Sequence, residues 1–110
     1  MIENLKTQLK YSQRGDIMDL TKELSIGQVV KSRAGRDNGR VFLVLDIIDD
    51  QYVHIVDGDL RKLNNPKKKK VKHLIIYNTI IPDFKQKLED SLTINDADIS
   101  KFLEPFKESI

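Results

Sequence analysis

The chain has 110 residues, a length that suits one domain with a modest core, and a third of its residues are charged, 19 Lys/Arg against 17 Asp/Glu. The lack of cysteine removes disulfides, thiolate zinc sites and cysteine nucleophiles together, as suits a reducing compartment. No stretch approaches the roughly 20 apolar residues of a membrane span, and charges interrupt the first twenty residues where a secretory signal would be apolar, so a cytoplasmic protein with no membrane partner is expected.

The net charge of +2 conceals an uneven distribution. Residues 1–25 are balanced, residues 26–75 carry 11 Lys/Arg against 6 Asp/Glu, and residues 76–110 carry 4 against 7. A basic centre beside an acidic end is the asymmetry of a polyanion-binding module with an appendage, although ordinary surface charge would also produce it.

Residues 1–25 read as a tail with a short helix. Ile2, Leu5 and Leu9 have helical spacing with little else to support it, and Ile17, Leu20 and Leu24 repeat the pattern after Gly15, with Asp16 placed to cap it. From Ile26 the period becomes strand-like and turn residues follow at short intervals. Gln28 to Arg33 is a first strand, and Ala34 to Asn38 form a tight loop with Gly35 and Gly39, residues that tolerate positive φ. Arg40 to Ile48 is apolar on both parities, Val41, Leu43, Leu45 and Ile47 against Phe42, Val44 and Ile48, so this strand should be covered on both sides. Asp49-Asp50 turns into a third strand from Gln51 to Asp57, which Gly58 and Asp59 close. After the loop signal Asn64-Asn65-Pro66, Lys67 to Ile76 reads as one last strand. Four to five short strands in residues 26–76 are enough for a small barrel, and the fold class is accordingly mainly β.

Residues 77–110 should form a helical extension packed on the barrel. Ile81, Phe84, Leu88 and Leu92 give one helix, with Pro82 and Asp83 in its first turn. Asn95 is the N-cap of a second, Asp98 completes a variant capping box, and Ile94 is placed to staple onto Ile99. Ile99, Phe102, Leu103 and Phe106 continue its apolar stripe, and Pro105 should kink or end the helix near Glu104.

The residues offer no catalytic constellation, no metal site, no cofactor loop and no small-molecule substrate site. His54 lies in an alternating strand and His73 follows the lysine run, with no nucleophile grouped near either in sequence. Gly39 is followed by Arg40-Val41 where a phosphate-binding NTPase loop requires Lys-Ser or Lys-Thr opening a helix. The acidic residues at 49–50 and around Gly58 lack the calcium-loop pattern and are explained by turn chemistry. An enzyme is therefore not expected.

The basic residues bracket two loops. Lys31, Arg33, Arg36 and Arg40 surround the first, and Arg61, Lys62, Lys67, Lys68, Lys69, Lys70 and Lys72 surround the second. Four consecutive lysines repel one another, an arrangement that a polyanion relieves, and the arginines add planar groups that fork onto phosphates or stack on bases. The competing explanation is a solvated strand edge whose lysines guard against aggregation. Aromatic residues are scarce in these loops, which favours a folded RNA recognised by shape and backbone over a platform of stacked bases.

The run Ile26 to Val30 through Gly35 to Val44, centred on Gly39, resembles the KOW motif. Ile55 to Leu63, with its Val56-Asp57-Gly58 core, and Lys67 to Leu74 at their spacing resemble the KOW-containing large-subunit ribosomal proteins of the fourteenth archaeal and eukaryotic family, and especially their bacterial relatives. The likeness covers about half the chain and leaves residues 77–110 unmatched. It implies an SH3-like barrel, ribosomal or other structured RNA as partner through the basic positions of both loops, and a structural role for Gly39. The resulting expectation is an RNA-binding protein of the translation apparatus. The alternative is a protein-interaction module of transcription or ribosome assembly, docking through residues 83–110.

Overall fold

In the computed structural model, which describes residues 24–90 and 94–107, the alternating segments form five antiparallel strands. These are β1 (Gln28–Ser32), β2 (Val41–Ile47), β3 (Tyr52–Val56), β4 (Lys67–Lys70) and β5 (Leu74–Ile80), in one sheet of order β4-β3-β2-β1-β5. Two helices follow, α1 (Phe84–Asp90) and α2 (Asp96–Lys107). The helical pattern expected before Leu24, like Leu92, falls outside the described residues.

The expected last strand is in fact two strands separated by a single 3-10 turn, Val71–His73. Buried Val71 donates its N–H to the Gln51 carbonyl, and the His73 carbonyl accepts from Arg33 N–H, so the chain is pinned at both sides of a corner. That corner bends the sheet. β4 and β5 are its two outermost strands, which would lie about 19 Å apart if it were flat, whereas the link from Lys70 to Leu74 spans at most about 14 Å. The strand also runs on to Ile80, past the boundary expected after residue 76, because Tyr77, Thr79 and Ile80 continue its β-forming composition.

Alternation along β2 sends Phe42 and Val44 to one face and Val41 and Leu43 to the other, and each face has its own core. The first core joins them to Leu24, Val30, Val53, Ile55, Val71, Leu74 and Ile76. The second joins Val29, Val41, Leu43 and Val56 to Ile81, Phe84, Ile99 and Leu103, which places the helices on that face as the apolar stripe predicts. Covering stops at the far end of β2, where the ladder shifts between Val44 and Asp46, and Ile47 and Ile48 are exposed, contrary to the expectation of a strand buried throughout.

The start of α2 follows its local chemistry. Asp98 N–H donates to Asn95 Oδ1 at 2.9 Å and Asn95 N–H to Asp98 Oδ2 at 3.0 Å, a reciprocal capping box. Of the two effects expected of Pro105, an end near Glu104 does not occur, since the helix continues through Pro105 to Lys107. The missing N–H falls in the last turn, where only one helical bond is lost. Pro82 and Asp83 precede α1 rather than opening it; Asp83 has φ 60°, a value that aspartate tolerates, and its carbonyl accepts from Lys87 N–H.

Gly58 ties the β3–β4 loop to α2. Its φ is 78°, and a Cβ there would collide with the Asp96 carbonyl oxygen and lie 2.9 Å from the Ser100 nitrogen. The helices thus belong to the fold, and the buried side chains of Ile99 and Leu103 are engaged with the sheet rather than offered to a partner. Leu103→Ala should accordingly lower the unfolding free energy by about 2–5 kcal/mol, measured by urea titration; a loss within about 0.5 kcal/mol, typical of a surface position, would mean that α2 does not share the core.

Candidate nucleic-acid interface

Strand alternation divides the four lysines of β4 into two pairs. Lys67 and Lys69 pair in register with Ile55 and Val53 and share their face, while Lys68 and Lys70 pair with His54 and Tyr52 and share the other. The inward pair meets Asp37 of the β1–β2 loop. Lys69 is only 7% exposed, and its Nζ donates to Asp37 Oδ1 and to the Ala34 carbonyl, each at 2.9 Å. Ser32 Oγ donates to Asp37 Oδ1 at 2.7 Å, and Lys67 Nζ lies 3.2 Å from Oδ2. Burial alone would raise the Asp37 pKa, but the bonds from Ser32, Lys69 and Lys67 outweigh it and hold the carboxyl at about 2.

The mutual repulsion expected of four adjacent lysines is thus relieved for two of them inside the protein. Lys69, expected at the RNA surface, is a buried structural cation, and Lys67 is partly engaged in the same way. Lys68 and Lys70 remain on the surface, with Nζ 4.7 and 5.6 Å from the Tyr52 ring centre.

A second carboxylate anchors the other loop. Asp57 accepts from Arg40 Nη2 at 2.8 Å, and its Oδ1 accepts from the backbone N–H groups of Asp59 and Arg61. Burial opposes its ionisation, yet the Arg40 and backbone donors lower its pKa. Arg40 therefore ties the base of the β1–β2 loop to the base of the β3–β4 loop. In the first of these loops Gly39 N–H donates to the Ser32 carbonyl, and Gly35 and Gly39 have φ of 85° and 93°, the left-handed conformations the turn requires.

The anchored loops present their remaining cations in two places. Arg36, Arg61 and Lys67 line a cleft between the loops with a volume of about 440 Å³, together with Asp37, Arg40, Asn65, Leu60 and Phe42. At the adjoining corner Arg33, Lys70 and Lys72 surround exposed His73, whose pKa is lowered by desolvation and by the charges of Lys69, Lys70, Lys72 and Arg33. Lys62 is exposed near the cleft, in the same loop as Arg61. Lys31 stands apart, since in β1 it alternates to the helix-covered face with Val29.

Sequence reasoning missed Asp37, Asp57, Leu60 and Asn65 as parts of this end of the molecule. The aspartates looked like turn formers, and their position beside arginine and lysine was the available sign of an ion pair. His54 Nδ1 lies 2.7 Å from Asp46 Oδ1 in an exposed cross-strand pair. Among the described residues no group of three or more His, Asp or Glu side chains forms a potential metal site, and no helix is long and apolar enough to cross a membrane.

The Bacillus subtilis (strain 168) protein named "Putative ribosome-binding protein YbzG" is 29% identical over 66 residues, which cover 60% of this chain and 89% of the relative. No family model matches the chain.

The depressed Asp37 pKa gives a pH signature. An aspartate whose folded pKa lies below its unfolded value stabilises the fold above about pH 4, and that contribution disappears as pH falls towards 2. Asp37→Asn should lower stability at pH 7 by about 2 kcal/mol and flatten the loss between pH 4 and 2. Urea titrations across that range check it, and an unchanged acid slope would remove Asp37 from this role.

Proposed function

We propose that the chain is a non-enzymatic RNA-binding protein of the translation apparatus, that its curled sheet is an SH3-like barrel of the KOW type, and that the loop end of the sheet contacts structured RNA on the ribosome. The observation that carries this reading is a pair of basic groups beside the two carboxylate-anchored loops: Arg36 and Arg61 line the cleft between them, with Lys62 exposed next to Arg61, and Arg33, Lys70 and Lys72 stand around His73, with Lys68 beside Tyr52 on the outer face of β4. Rigid cationic loops fix the register of phosphate contacts, and arginine forks add geometry to charge. The strand order, with a corner of three residues joining the outermost strands, supports the barrel. The name of the Bacillus subtilis relative supports the ribosome as the place where the RNA lies.

Co-sedimentation of the protein with ribosomal subunits tests the reading, with Lys68, Lys70 and Lys72 changed together to Glu as the variant. These three are surface cations, so reversal leaves the Asp37 pairs intact. The wild type should migrate with a subunit and the variant should not. With about six phosphates neutralised, affinity for the bound RNA should fall roughly a thousandfold between 50 and 200 mM salt. A shallow salt slope, or a variant that still co-sediments, would contradict phosphate recognition by this end.

A further inference from the structure

The cleft between the two loops has features that phosphate binding alone leaves unexplained. Leu60 is 65% exposed at the tip of a loop that is held firmly, with Asp57 and Gly58 N–H groups both bonded to the Arg61 carbonyl and the Asp57 carboxylate bonded back to Asp59 and Arg61. A large apolar side chain held in water on a rigid loop gains nothing from the fold. Phe42, almost wholly buried, forms the apolar floor of the same cleft. Around these two groups stand Arg36 and Arg61, with Arg40 paired to Asp57 and Lys67 to the Asp37 carboxylate that also lines the cleft, and the Asn65 carboxamide supplies both a donor and an acceptor. The volume of about 440 Å³ is that of a small-molecule site.

Cations alone would suit a phosphate. Apolar surface, guanidinium planes and a carboxamide beside them suit a nucleobase attached to that phosphate, with the base against Leu60 and the arginine planes and its edge within reach of Asn65. We infer that this cleft receives one unpaired nucleotide extruded from an otherwise folded RNA. The inference rests on the RNA-binding reading and deepens it: charge at the loop end positions the RNA, and the cleft selects RNAs that carry a bulge or flipped base. Extrusion is least costly where the base is already unpaired, so a bulge is the natural substrate feature.

The test compares two RNA hairpins of the same stem, one fully paired and one with a single bulged 2-aminopurine, titrated with the full chain at one salt concentration. The bulged hairpin should bind at least about tenfold tighter, a difference of 1.4 kcal/mol, with a change in 2-aminopurine emission as the base leaves the stack. Leu60→Ser, at an exposed position, should retain affinity for the paired hairpin and lose the preference, whereas Leu60→Met should keep it. Equal binding of both hairpins, or a Leu60→Ser protein that keeps the preference, would overturn the cleft proposal while leaving RNA binding intact. Tighter binding of free nucleoside 5′-monophosphates than of the bulged hairpin would overturn it in favour of a small-molecule ligand. Binding of neither hairpin would overturn both the proposal and the reading beneath it.

Discussion

The buried contact of Asp37 with Lys69 is the constraint on which the basic loop end of this molecule depends. It joins the β1–β2 loop to an edge strand that follows it by some thirty residues, and Ser32 and Lys67 complete the cage around the carboxylate. A buried carboxylate is tolerated only when its donors outweigh desolvation, and its low pKa shows that they do. Removing Asp37 would leave Lys69 as a buried charge without a counter-ion, which is why such a pair fixes geometry more surely than it adds net stability. Strand alternation turns two lysines inward and two outward, and this contact fixes the inward pair against the loop.

The second carboxylate extends the same logic. Arg40 and Asp57 join the bases of the two loops, and Gly58 lets α2 approach the second loop closely enough to hold it from behind. The helices therefore serve the basic end indirectly. They complete the core on one face of the sheet, while the loops at one end project cations that the core does not use. Acidic residues such as Asp96 and Asp98 sit in the first turn of α2, where they favour the helix terminus, and Asp96 also accepts from Leu63 N–H in the loop.

Much of the fold was legible in the sequence because its signals are local. The two parities of β2, the loop glycines, and the Asn95–Asp98 box with Ile94 beside Ile99 each depend on residues within a few positions of one another. The break between β4 and β5 was not legible, since Lys70-Val71-Lys72-His73-Leu74 contains no glycine or proline to mark the corner and the turn is fixed by distant Gln51 and Arg33. Pro105 misled for the opposite reason, as its effect depends on how near the helix end lies. At the candidate site, charge counting found the cations but could not separate Lys69 from Lys68. Their difference is one step of strand alternation together with a carboxylate more than thirty residues away. Leu60 carried no sequence signal, because only the folded loop reveals that it is left exposed.

The central claim is that fixed geometry, rather than positive charge as such, makes the loop end an RNA-binding surface. Measuring RNA affinity of Asp37→Asn against wild type, at one salt concentration and under conditions where both are folded by circular dichroism, tests it most directly. The substitution removes a negative charge from the basic end, so attraction by charge alone would tighten binding. The account predicts weaker binding by about tenfold, or 1.4 kcal/mol, because the loop and β4 lose their common anchor. Unchanged or tighter binding would contradict it.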